Sequence, residues 1–253
     1  LKMNNNLYTY CLRLGDNGLI LSHRIAEYCS AGPQLEEDLA ITNVGLDLLG
    51  QAESFLKYAA DIKGQGTTED DLAFKRKENE YLCVHLTEIP NIDYAYIMAR
   101  QFLMDVFNFY LFEKLVSSKD PIIAGISSKA IKEITYHLSR SSDWIVRLGQ
   151  GTKESHHKIQ TAFNDLWMFT DELFEADEIE KTLAKQQIGV DSSTLKKDWI
   201  STINKVFSAA GLEIPKIEKH SLTYGKFGSH TEYLGFLLAE MQHIPLLYPD
   251  AKW

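Results

Sequence analysis

Four acids on what read as long helices carry the strongest chemical signal in this sequence: Asp16, Asp47, Asp105 and Glu133. In an antiparallel helical hairpin, residues equidistant from the turn face each other. Asp16 and Asp47 are centred within Ala31-Gly32-Pro33, and Asp105 and Glu133 are centred at Lys119-Asp120. Each hairpin would bring a carboxylate pair to mid-helix depth. Di-iron carboxylate bundles use this geometry, with one acid from each of two helices and Glu-x-x-His from each of the other two. The i, i+3 spacing puts carboxylate and imidazole on one helix face, within reach of one metal pair that activates dioxygen.

The pattern breaks at both histidines. Three residues after Asp47 stands Gly50, and three after Glu133 stands Tyr136, with His137 one position further on. One residue rotates a side chain by about 100° around a helix, so His137 is not expected to replace the missing ligand. Glycine supplies no ligand, and three of the four acids are the shorter Asp. Carboxylates without a placed imidazole make a poor iron site. These positions therefore read as a degenerate di-iron site, with no catalytic, metal or cofactor-binding residue expected. The inner acids are expected to pair with Arg13, Arg24, Arg100, Lys132 or Arg140 in a satisfied buried network. His137 then reads as a core or interface histidine, and a functioning di-metal site is the competing reading.

The elements that position these acids follow from apolar spacing. Leu7, Tyr10, Cys11, Leu14, Gly18, Leu21 and Ile25 recur at spacings of three and four, the stripe of a helix ended by Gly32-Pro33. A second helix is expected from about Glu36 to Asp61, with acids at its start and the stripe Leu35, Leu39, Leu46, Leu49, Ala52 and Phe55. Lys63 to Asp71 reads as a polar loop. The third long helix runs from about Asp93 to Ser117. The fourth starts at Asp120-Pro121, an N-cap followed by proline at the first helical position, and ends near Leu148. Further helices are expected over Ser155–Phe174, Ser193–Ala210 and Ser229–Ile244, with an irregular connection between Ile214-Pro215 and Tyr224-Gly225. No strand alternation is visible. One all-α domain over 1–253 is expected, with four long helices carrying the core over about 5–150 and extra packing helices over about 151–253.

Composition narrows the function. With 26 Lys+Arg against 35 Asp+Glu, the formal charge of the 253-residue chain is −9. Such a surface repels phosphate backbones and anionic headgroups, so neither nucleic acid nor membrane is an expected partner. Cys11, Cys29 and Cys83 form no C-x-x-C pair and read as buried thiols in a reducing compartment. No signal-peptide pattern and no apolar run of membrane-spanning length is present, so a cytoplasmic protein is expected.

Several runs go further than composition: Leu12-Arg13-Leu14-Gly15-Asp16-Asn17, Asn43 through Ala52, Lys129-Ala130-Ile131-Lys132-Glu133 and Tyr136-His137-Leu138. With them stand Leu166-Trp167, Phe174 through Glu178, Gly228 through Gly235 and Leu238 through Gln242. Together they resemble the C-subunit family of phenylacetyl-CoA 1,2-epoxidases, the ring-hydroxylating phenylacetate-CoA oxygenases, over essentially the whole chain. The resemblance implies a ferritin-like fold and a structural role in aerobic phenylacetate catabolism. It implies pairing with a di-iron catalytic A-type subunit, a bridging B-type subunit and an NADPH-dependent reductase, with no cofactor in this chain. A homodimer in isolation is a further expectation. An independent di-metal oxidase or oxygenase is the alternative, and a homo-oligomeric storage protein a third.

Two local expectations accompany this. The first and third helices are expected to reach a subunit interface, because Tyr94, Phe102, Phe109 and Phe112 lie on more than one face. Packing beneath the C-terminal helices is the competing reading. At Tyr224-Gly225-Lys226-Phe227-Gly228, ahead of His230-Thr231-Glu232, helix-start N–H groups and Lys226 would suit an anion such as a CoA phosphate. A capping role is the alternative there.

Overall fold

The computed structural model describes residues 2–216, 224–249 and 251, so the middle of the expected connection before Tyr224 lies outside the described residues. Among these residues there are eleven α-helices and no strand. None of the helices is long and apolar enough to cross a membrane. The chain divides into two compact units, one formed by 1–29, 39–90 and 224–253, the other by 30–38 and 91–223.

In the first unit, α1 (Lys2–Ala26) is buried nearly all round along its second half, with Cys11, Ile20 and Leu21 fully enclosed. Its glycines permit a close approach to α2 (Leu35–Lys63): a Cβ at Gly15 would lie 2.8 Å from Leu56, and one at Gly18 3.1 Å from the Leu48 carbonyl oxygen. The buried face of α2 is Ile41, Val44, Leu48, Ala52, Phe55, Leu56 and Ala59. Four of the six residues of the expected stripe are thus on the wrong side, since Leu35, Leu39, Leu46 and Leu49 are exposed, by as much as 70% at Leu35. Helix α2 is apolar on two faces, and periodicity alone cannot say which one the core takes.

The last three residues of the expected Lys63–Asp71 loop form the first turn of α3 (Glu69–Phe74), opened by a capping box in which Thr68 and Asp71 bond each other's backbone N–H. A 3₁₀ turn at Glu78–Glu80 and the single turn α4 (His85–Glu88) follow. The core joins Leu12, Leu19, Leu56, Ala59, Leu72 and Tyr81 to Leu234, Leu237 and Leu238 near the C-terminus.

The second unit is built on α5 (Tyr94–Leu115) and α6 (Pro121–Gln150). Asp93 caps α5 through the Tyr96 N–H, and Asp120 caps α6 through the N–H groups of Ile122 and Ile123, as the Asp-Pro signal requires. Residues 95–107 of α5 are all buried, because α6, α7 (Lys153–Leu166) and α9 (Lys196–Ala210) wrap it. Phe102 meets Phe163 edge-on, and Phe107 meets Phe174. The expected interface role of α1 and α5 is thereby corrected: their apolar side chains are used inside their own units. Phe109 is half-buried, edge-on to Tyr110.

Helix α6 is cleanly amphipathic, burying Ile123, Ser127, Ala130, Ile134, His137, Ser141, Ile145 and Gly149 in steps of three and four. At Gly149 it comes so close to α9 that a Cβ would sit 2.4 Å from the Ala210 carbonyl oxygen. Helix α7 ends earlier than its apolar pattern suggests. The N–H and hydroxyl of Thr170 both donate to the Trp167 carbonyl, tightening the chain into 3₁₀ turns. Helix α8 (Glu178–Lys185), which apolar spacing did not separate, is capped by Asp177 through the N–H groups of Ile179 and Glu180. Helices α10 (Glu232–Met241) and α11 (His243–Leu247) return to the first unit.

Candidate functional site

Asp16 lies on the inner face of α1 and is wholly buried. Its carboxylate is held by Arg76 from the turn after α3: Nη1 donates to Oδ2 at 3.0 Å and Nη2 donates to Oδ1. The backbone N–H of Leu82 adds a third bond to Oδ2 at 2.8 Å. Arg76 is itself fixed by the carbonyls of Leu72 and Glu80, and its guanidinium stacks 4.2 Å from the Tyr81 ring centroid. Burial disfavours the arginine charge, but Asp16 outweighs it and raises the Arg76 pKa. Burial also pushes the Tyr81 hydroxyl up to about 12.

The counter-ion of Asp16 is therefore none of the five cations expected from the sequence. Arg24 pairs with Glu27 and donates to the Glu88 carbonyl. Arg13 reaches the Lys226 carbonyl and lies over the Phe227 ring. Arg100 bonds Asn91. Arg140 pairs with Glu37, whose Oε2 also takes the Tyr94 hydroxyl and the Trp144 indole N–H. Lys132 is exposed.

On α2, Asp47 is half-buried, and a Cβ at Gly50 would meet nothing within 4 Å. In the second unit, Asp105 is buried and its Oδ1 accepts from the Gln101 amide at 2.6 Å. Burial pushes this carboxyl up to about 6, against the pull of His137 and, less strongly, Arg140. His137, one position past the expected ligand, is the residue on the buried stripe of α6, while Glu133 is half-buried and the Tyr136 ring is 54% exposed. The hairpin thus places His137, rather than Glu133, beside Asp105. The stripe Ala130, Ile134, His137, Ser141 was the signal that turn symmetry overlooked.

The region proposed for an anion holds one from this chain. At the start of α10, the N–H and hydroxyl of Thr231 both donate to Glu88 Oε2, at 2.8 and 2.7 Å. His230 Nδ1 lies 2.7 Å from Glu88 Oε1, and its Nε2 lies 2.8 Å from the Tyr81 carbonyl oxygen. Lys226 is buried, and its carbonyl receives Arg13. The Thr231 N–H and hydroxyl at this helix start thus face a carboxylate of the chain itself, not an outside phosphate. Of the three cysteines, Cys11 and Cys83 are buried as expected and Cys29 is exposed.

These donors do not fit the six-ligand di-iron pattern. Both oxygens of Asp16 are committed to Arg76, position 50 carries no side chain, and Tyr136 points to solvent.

Comparison with known proteins agrees with the architecture. Residues 2–253 match the family model described as Phenylacetic acid catabolic protein. The chain is 48% identical over 249 residues to the C subunit of the 1,2-phenylacetyl-CoA epoxidase of Escherichia coli (strain K12), covering 98% of this chain and 100% of that relative. The all-α class expected from the helical spacing, and the ferritin-like fold implied by the resemblance, accord with that match. With nearly its whole length matched, this chain belongs to the phenylacetic acid catabolic protein family.

Proposed function

We propose that this chain is a non-catalytic, structural subunit of a multicomponent phenylacetyl-CoA 1,2-epoxidase in aerobic phenylacetate breakdown. It braces a related A-type subunit that carries the di-iron centre and converts the substrate to its ring 1,2-epoxide. A bridging B-type subunit and an NADPH-dependent reductase complete the assembly.

The observation that carries this reading is the commitment of Asp16 to Arg76 and the Leu82 N–H. A carboxylate held by a guanidinium neutralises a bundle interior without metal, so the helices stay rigid with no ion to load. Exposed apolar side chains support a partner: Leu39, Leu46 and Leu49 along α2, and Phe236, Leu246 and Leu247 on α10 and α11. Leu39, Leu46 and Leu49 recur at spacings of seven and three on one helix face, and an exposed apolar face is the kind of surface that protein interfaces use.

The test is iron bound after anaerobic Fe(II) loading, with and without a co-expressed A-type partner. The chain alone should bind well below one iron, and the pair about two, with turnover of phenylacetyl-CoA when the reductase is added. Two irons and dioxygen consumption by the isolated chain would replace this proposal with an independent di-metal oxidase.

A further inference from the structure

Cys83, Glu88 and His230 meet in the first unit, apart from the acids of the degenerate pattern. One ligand atom from each lies within 4.8 Å of the others, and the side chains of Glu88 and His230 are fully buried, as is Cys83. Two donors converge on one oxygen: His230 Nδ1 at 2.7 Å and Cys83 Sγ at 3.6 Å from Glu88 Oε1. The Tyr81 carbonyl can only accept, so His230 Nε2 carries a hydrogen. Facing a carboxylate, Nδ1 carries one too, which makes the ring an imidazolium.

We propose that these three residues form a binding site for a thiophilic divalent metal ion of the zinc class. The charge balance is neutral both ways. Without the ion the site holds a carboxylate, an imidazolium and a thiol. With it, the thiol and the imidazolium each release one proton to solvent, and the two positive charges of the ion replace the charge lost by each. Thiolate, imidazole and carboxylate are the donors zinc takes, whereas magnesium and calcium avoid sulfur. Tetrahedral coordination requires the imidazole and carboxylate to part by about half an ångström.

The surroundings are those of a supported site. A backbone carbonyl on the distal imidazole nitrogen fixes the tautomer that leaves Nδ1 for the metal. Thr231 holds the second carboxylate oxygen through two hydrogen bonds. Gly228 (φ +80°) shapes the entry to this segment, and a Cβ there would lie 2.2 Å from the Asn79 carbonyl oxygen. Three protein ligands leave a fourth position for water. Because the site is enclosed, the ion enters as the segment folds around it.

The test is refolding of the full chain with Co(II) alone, followed by displacement with Zn(II). One Co(II) per chain should bind, with a near-ultraviolet thiolate-to-cobalt charge-transfer band and release of about two protons per ion. Cys83→Ser should abolish the band with helicity unchanged. Thr231→Val should weaken binding about 10- to 100-fold while keeping the band, as loss of an outer-shell bond does. A band that survives Cys83→Ser places the metal on Cys11 or Cys29 and overturns the proposal. Should Cys83→Ser fail to refold, X-ray absorption of the Zn(II)-loaded native chain decides: one sulfur ligand supports the site, and a shell of nitrogen and oxygen only overturns it.

Discussion

Replacing Arg76 by Met tests the ion pair on which the structural reading rests. Asp16 is fully buried, and Arg76 supplies two of its three described hydrogen bonds. Removing the guanidinium leaves a buried carboxylate facing one backbone N–H and also leaves the Leu72 and Glu80 carbonyls without their arginine donor. Breaking such a pair from one side costs about 3–5 kcal/mol. For a chain of this size that corresponds to a fall in Tm of about 6–20 °C. Urea denaturation with far-UV circular dichroism measures it directly. Adding Asp16→Asn to Arg76→Met removes the stranded charge while keeping an acceptor for the Leu82 N–H, and should recover about 1–3 kcal/mol. An Arg76→Met loss below about 1 kcal/mol, or a double variant less stable than Arg76→Met alone, would refute the account of Asp16 as a residue held by its own arginine.

Other consequences follow from the same geometry. Asp105 is pushed from its ordinary 3.8 up to about 6 by burial, so the native state holds a proton that the unfolded chain has released between about pH 4 and 6. Stability should fall as pH rises through that window, and Asp105→Asn should remove the slope and gain up to ~3 kcal/mol at pH 7, read from urea midpoints across pH. Two glycines should respond with opposite sign: Gly149→Ala forces α6 from α9 and costs about 1–3 kcal/mol, whereas Gly50→Ala, with open space around it, gains about 0.5–1 kcal/mol. Leu46→Glu with Leu49→Glu should leave the isolated chain within about 0.5 kcal/mol of its native stability per substitution while weakening co-purification of an A-type partner. Undiminished co-purification would move the proposed interface off α2.

Much of this protein was legible in one dimension because helices are local objects. Caps at Asp93 and Asp120, proline at the first position of α6 and the spacing of apolar residues located the long helices to within a few residues. The inward placement of His137 was also there to be read, in the unbroken stripe from Ile123 to Gly149. The absence of side-chain ligands at Gly50 needed no structure at all.

What the tertiary structure decided is everything that depends on which distant residues meet. Arg76 lies 60 residues from Asp16, in a stretch whose short helix carries too few turns to show a period. Glu88 and His230 are separated by 142 residues, so neither the filled helix start nor the thiol, carboxylate and imidazole cluster has any signature along the chain. The choice of face on α2 has the same origin. Leu39, Leu46 and Leu49 are as apolar as Val44, Leu48 and Phe55, and only the close approach of α1 at Gly15 and Gly18 selects the second set for the core. Periodicity records that a face is apolar, but burial is settled by the surface that comes to meet it.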